Sequence, residues 1–107
     1  MSKEVAPLVV SPEGKLYIDK ATEMHSMLSD ALAKASDVLL NWDAVDDIDL
    51  PILQLFYAAR KEASARGKQF RFSGVVSERA ASRLLKSGFI KSLPASGKEL
   101  EAGLVDF

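Results

Sequence analysis

The chain contains no cysteine, which excludes disulfide staples, iron–sulfur clusters, thiolate metal sites and thiol catalysis. That absence fits a reducing compartment. It has one histidine, His25. With no second histidine and no cysteine to complete a ligand set, zinc is not expected, and His25 reads as a half-exposed structural residue. Neither sign of charge prevails. Fourteen basic residues face fifteen acidic ones, so attraction to nucleic acid by bulk charge is not expected. No run approaches the roughly 18 apolar residues a membrane span requires. Pro7, Pro12 and Glu13 interrupt the N-terminal region, so no signal peptide is expected and the cytoplasm is the predicted compartment. A Gly-x-x-x-x-Gly-Lys-Ser/Thr loop, a Gly-x-Gly-x-x-Gly turn and a Gly-x-Ser-x-Gly elbow are all missing. Nothing therefore supports a phosphate cradle, a nucleotide site or a nucleophile elbow. The expectation is a binding module, not an enzyme, with no cofactor.

What is present suffices for one core. At 107 residues and 48% apolar composition, the chain has the length of a single domain and is too apolar to be disordered throughout. Residues 5–10 form a short β-branched run that Pro7 confines to an edge or a strand start. Ser11-Pro12-Glu13-Gly14 is a turn signal, and residues 15–18 read as a second strand, which predicts an antiparallel hairpin. Over residues 22–35, Met24, Met27, Leu28, Ala31, Leu32 and Ala35 recur on one helical stripe, with Asp19 or Thr22 as its cap. Residues 38–42 are continuously apolar apart from Asn41 and predict a strand buried on both faces.

An acidic loop is expected over residues 43–49. Leu50 and Pro51 then open a second helix capped by Asp49, with Ile52, Leu55, Phe56, Ala59 and Ala63 inward and Gly67 as its stop. Residues 69–72 alternate as a strand with one buried face. Ser77 caps a third helix with Ala80, Ala81, Leu84 and Leu85 inward and Gly88 at its end. Phe89, Ile90 and Leu93 suggest a last extended segment, and the Ser96/Glu99 spacing suggests a short final helix within the tail at 94–107. Strands alternating with helices predict an α/β fold. The expected form is a small mixed, largely parallel sheet of about four to five strands, flanked by three to four helices, with its core over about residues 5–93.

The acidic loop is the place to look for chemistry. Asp43, Asp46, Asp47 and Asp49 could in principle gather Mg²⁺ or Ca²⁺. Their spacing is not that of a calcium loop, and a solvated loop ending in a helix cap is the favoured reading. Its position counts for more, since loops at the carboxyl ends of parallel strands form the functional edge of such sheets. Trp42 and Phe56 read as core, whereas Tyr57 lies off the stripe and could meet a partner. Ser73 and Ser77 read as a loop serine and an N-cap, with modification left open. A degenerate phosphoreceiver is disfavoured because Asn41 stands where its aspartate would be, and Val9-Val10-Ser11 where its acidic pair would be.

Residues 38–49, followed by Leu50-Pro51-Ile52-Leu53-Gln54-Leu55, resemble the signature of STAS domains, which include the bacterial anti-sigma-factor antagonists. Residues 63–72 and the segment Leu84-Leu85-Lys86-Ser87-Gly88-Phe89 extend the likeness. The resemblance implies protein partners, and a kinase-controlled Ser or Thr at the start of the second helix. Here Asp43 and Asp49 match the acidic positions, but the two hydroxyl positions fall on Leu50 and Pro51, and Ile52 replaces the usual glycine. Neither Leu50 nor Pro51 can be phosphorylated. The resemblance thus implies a constitutive partner-binding module using Asp43, Asp49, Leu50, Pro51 and Gln54. The expected partner is a kinase or anti-sigma factor, or a chemotaxis-type signalling protein. The alternative is the ATPase of a lipid-transporting ABC system, and a second copy of the chain stays open as a partner. Neither nucleic-acid binding nor membrane insertion is expected.

Overall fold

The structure is a computed structural model that describes residues 7–86. Along the described chain run β1 (Leu8–Val10), β2 (Gly14–Leu16), a 3-10 turn (Ile18–Lys20), α1 (Ala21–Lys34), β3 (Asp37–Asn41), β4 (Val45–Ile48), α2 (Leu50–Ala65), β5 (Gln69–Ser73) and α3 (Glu78–Lys86). The suggested last strand around residues 89–93, the short final helix and the Gly88 stop lie outside the described residues.

The α/β class is as expected, and every strand pair among the described residues is parallel. One sheet has the order β1-β3-β5 and a second pairs β2 with β4. The antiparallel hairpin is corrected. Leu8, Val9 and Val10 lie beside Val38, Leu39 and Leu40, while Gly14, Lys15 and Leu16 lie beside Val45, Asp47 and Ile48. The Ser-Pro-Glu link does not fold β1 back onto β2. It runs beside the link between β3 and β4, to which the Gly14 N–H bonds at the Ala44 carbonyl (2.8 Å). Each short strand gains its partner from a segment some thirty residues away.

The acidic loop is also corrected, because most of it is strand β4. In β3, Val38 and Leu40 are fully buried while Leu39 and Asn41 are only half-buried, so one face is sealed and the other partly covered. The predicted alternation of β5 holds, with Phe70 and Phe72 inward and Gln69 and Arg71 outward.

The helices follow their stripes. In α1, Met24, Leu28, Ala31 and Leu32 are buried. It has no side-chain cap; neither Asp19 nor Thr22 serves, because the 3-10 turn feeds straight into it. In α2, Leu53 is buried in place of Leu55, which is half-buried at the margin facing α1. Gly67 takes the left-handed conformation (φ +70°) just after α2, as its place in the sequence requires.

Trp42, Phe56, Phe70 and Phe72 form the centre of the core. Trp42 meets Phe56 edge-on at 5.8 Å and Phe72 at 5.4 Å, and Phe70 meets Phe72 at 5.9 Å. Edge-to-face contacts of this kind add to the free energy of burial. Phe56→Ala should therefore cost about 3–5 kcal/mol in urea denaturation. Val9→Ala, at a half-exposed position in β1, should stay within about 0.5 kcal/mol.

Candidate functional site

The start of α2 follows β4 directly, and one carboxylate organises it. Asp49 Oδ1 accepts from the Ile52 N–H (3.3 Å), closing the first turn of the helix. Asp49 Oδ2 accepts from the Ile18 N–H (2.8 Å), just past the end of β2. The Asp49 N–H in turn donates to the Leu16 carbonyl (3.1 Å). A single residue thus caps the helix and ties it to the neighbouring strand. Pro51 sits in the first turn, where its missing N–H leaves no helical bond unmade.

Two apolar side chains stand out beside this cap. Leu50 is 41% exposed and Ile18 is 59% exposed. Gln54 is exposed one turn beyond Leu50, on the same side of the helix. Asp49, Leu50, Pro51 and Gln54 therefore lie together at the first turns of α2. Asp43 does not join them. It lies before β4, so the four residues of that strand, roughly 13 Å at strand rise, separate it from Asp49. Asp43 Oδ1 accepts from the Val75 N–H (2.7 Å), and the Asn41 side chain accepts from the Asp43 N–H (3.0 Å). Gly74 passes so close that a Cβ there would lie 2.1 Å from Asn41 Oδ1 and 2.7 Å from Asp43 Oδ1.

The four aspartates of this region point to four different tasks. Asp43 holds the loop after β5 and Asp49 caps α2, while Asp46 pairs with Arg79 at 3.6 Å. Asp47 is only 1% exposed. It accepts two bonds from Arg83, at 2.9 and 2.8 Å, one from the Tyr17 hydroxyl at 2.6 Å and one from the Ile48 N–H at 2.8 Å. Arg83 also lies over the Tyr17 ring at 5.8 Å. The Arg83 guanidinium, with the Tyr17 and Ile48 donors, holds the Asp47 carboxyl well below the usual carboxylate range against the opposing effect of burial. Their hydrogen bonds to Asp47 push Arg83 upward and, against the opposing charge of Arg83, Tyr17 upward as well. Among the described residues, no group of three His, Asp or Glu side chains could hold a metal ion.

The other candidates have structural surroundings. Ser77 accepts from the Ala80 N–H (3.1 Å) as the cap of α3 and donates to the Asp46 carbonyl (2.7 Å). Ser73 ends β5 with its hydroxyl 3.5 Å from the Leu40 carbonyl. Trp42 is fully buried and belongs to the core. Tyr57 is half-buried beneath the Lys61 ammonium, 5.0 Å from its ring centre. His25 is exposed on α1, at the rim of a groove of about 150 Å³ between α1 and α2 floored by Leu28, Leu32 and Leu55. That groove shares no residue with the start of α2. No helix among the described residues is long and apolar enough to cross a membrane.

Ile18 and the Asp47–Arg83–Tyr17 cluster are the parts that sequence reasoning missed. Ile18 reads as the continuation of a strand, but the 3-10 turn begins there and breaks the alternation that buries Leu16. For Asp47 the available signal is its place two residues after Val45, on the same face of β4.

A small α/β domain of parallel strands, with a capped helix start beside an exposed apolar pair, is the class defined so far. A family comparison matches the STAS domain over residues 2–102, and the chain belongs to the STAS domain family. Solved structures share the fold. One is a Thermotoga maritima protein assigned as an anti-sigma factor antagonist, with a TM-score of 0.59 and 24% identity over 79% of this chain and 74% of that one. Another is a sulfate transporter family protein from Wolinella succinogenes, with a TM-score of 0.58 and 20% identity over 85% of this chain and 76% of that one. No curated protein matches.

The sign of the Asp47 effect on stability follows from its lowered pKa. A depressed folded-state value means the pair stabilises the fold above the unfolded carboxylate value of about 3.9, and this is lost as pH falls toward the lower folded value. Asp47→Asn should cost about 2 kcal/mol at neutral pH. In denaturation series the gap between wild type and variant should stay constant from about pH 8 to pH 5 and narrow below about pH 4. A gap that does not change with pH would mean that the charge of Asp47 contributes nothing.

Proposed function

We propose that this chain is a non-enzymatic protein-binding module that docks its partner through the start of α2 and cannot be switched there by phosphorylation. The supporting observation is Leu50. It is 41% exposed on a helix turn fixed by Asp49, at the position where the family resemblance implies a phosphorylatable hydroxyl. An apolar Leu-Pro pair carries no charge and accepts no phosphate, so the surface keeps one charge state. Ile18 extends it as a second exposed apolar contact, held by the same carboxylate. Exposed apolar residues on a rigid support are the kind that anchor protein interfaces.

The partner class that fits is a kinase or anti-sigma factor of a bacterial partner-switching system, or a chemotaxis-type signalling protein, met in the cytoplasm. Here the module acts as a constitutive partner. Asp49 contributes indirectly, because both of its oxygens are engaged within the domain. Leu50, Pro51, Gln54 and Ile18 make the contact. Asp43, at the other end of β4, lies outside the central contact.

Leu50→Glu separates binding from folding. A carboxylate in the first turn of a helix is favourable by about 0.3–1 kcal/mol, so the variant should be as stable as wild type or slightly more so. In pull-downs from source cells read by mass spectrometry, wild type should recover a kinase-like or anti-sigma protein and Leu50→Glu should lose it. Equal recovery by the two proteins would sink this placement of the interface. Recovery of an ABC ATPase instead would move the module to transport.

A further inference from the structure

β2 has only three residues, and among the described residues its ladder partner is β4 alone. The register of that ladder shifts between Gly14 and Lys15. So short a strand has few backbone bonds to fix where its end lies. Its end is nevertheless where Ile18 must stand for its N–H to reach Asp49. Side chains supply the missing constraint. Consecutive residues Tyr17 and Ile18 are each held by an aspartate of the neighbouring segment: the Tyr17 hydroxyl by Asp47 at 2.6 Å and the Ile18 N–H by Asp49 at 2.8 Å. Asp47 is itself clasped by both prongs of Arg83 from α3, and the guanidinium covers the Tyr17 ring.

We propose that Arg83 is a positioning residue for the start of α2. It orients Asp47, which with the Arg83 stack fixes Tyr17. Tyr17 sets the place of Ile18, and Ile18 completes the clamp on Asp49. The route runs from α3 to the first turn of α2 through hydrogen bonds, one ring contact and the Tyr17–Ile18 backbone. The two-pronged geometry matters more than the charge. A planar guanidinium can hold both oxygens of one carboxylate at once, and an ammonium cannot. Half of the Arg83 side chain is open to solvent, so a change at the surface of α3 can reach the docking surface without touching it. Arg83 thereby governs how rigidly Ile18 and Leu50 are presented together. Its consequence for binding rests on the docking role proposed above, whereas its consequence for Ile18 does not.

Site-resolved amide hydrogen exchange by NMR on the full chain tests this, with Leu40 in the central strand β3 as the reporter of global opening. In Arg83→Gln, exchange at the Ile18 amide should accelerate roughly tenfold beyond any change at Leu40, because the local clamp opens while the core holds. Arg83→Lys, which keeps the charge, should fall between the two. Tyr17→Phe removes one bond and little else, and should also free Ile18 selectively; it serves where Arg83→Gln folds poorly. Ile18 exchange that changes only in step with Leu40 in these variants would overturn the proposal and leave Arg83 an ordinary stabilising pair. Partner capture reports separately. Selective release of Ile18 with undiminished capture keeps the positioning role and overturns only the docking surface.

Discussion

The carboxylate of Asp49 receives a hydrogen bond from the helix it caps and another from the 3-10 turn beside it. A helix N-terminus has several N–H groups without partners, and a flanking aspartate normally satisfies them from within its own turn. Here the second oxygen is turned outward to the Ile18 N–H, so the cap also joins two segments. This allows two large apolar side chains, Ile18 and Leu50, to stand partly in solvent at defined positions. Without that clamp the Ile18 end of the turn would depend on the short β2–β4 ladder, the Asp49–Leu16 backbone bond and the Tyr17–Asp47 bond.

A second aspartate, two residues earlier, supports the first. Burying Asp47 to 1% exposure would be costly for a lone carboxylate. The cost is offset because every donor around it is in place: both prongs of Arg83, the Tyr17 hydroxyl and the Ile48 N–H. Asp47 connects α3 to β4 and β2, while Asp49 connects β2 to α2. The acidic stretch that looks like a single charged loop is therefore a set of separate joints between elements. That division sends the four carboxylates to four different partners.

Much of this was legible from the sequence. The Asp49-Leu50-Pro51 run announces a capped helix, the alternation over residues 69–72 announces β5, and Ser77 announces the start of α3. The STAS resemblance carried by residues 38–55 pointed to the family the chain belongs to. Local chemistry misled at two points. Asp46 and Asp47 argue against strand by propensity, yet pairing with β2 and the contact with Arg83 overrule them. A Ser-Pro-Glu-Gly turn looks like a reversal, but each flanking strand pairs parallel to a distant segment instead. The exposure of Ile18 and the Asp47–Arg83 contact depend on residues some thirty positions apart. No window of neighbouring residues contains that information.

The central claim is that the start of α2 is a docking surface held in one charge state. Titration of the ¹⁵N-labelled chain with its captured partner, followed by amide chemical shifts, tests this most directly. The account predicts that the largest shifts fall on Ile18, Leu50 and Gln54, with Asp43 little affected. Shifts centred on His25 and Glu62 at the α1–α2 groove, with Ile18 and Leu50 unmoved, would contradict it.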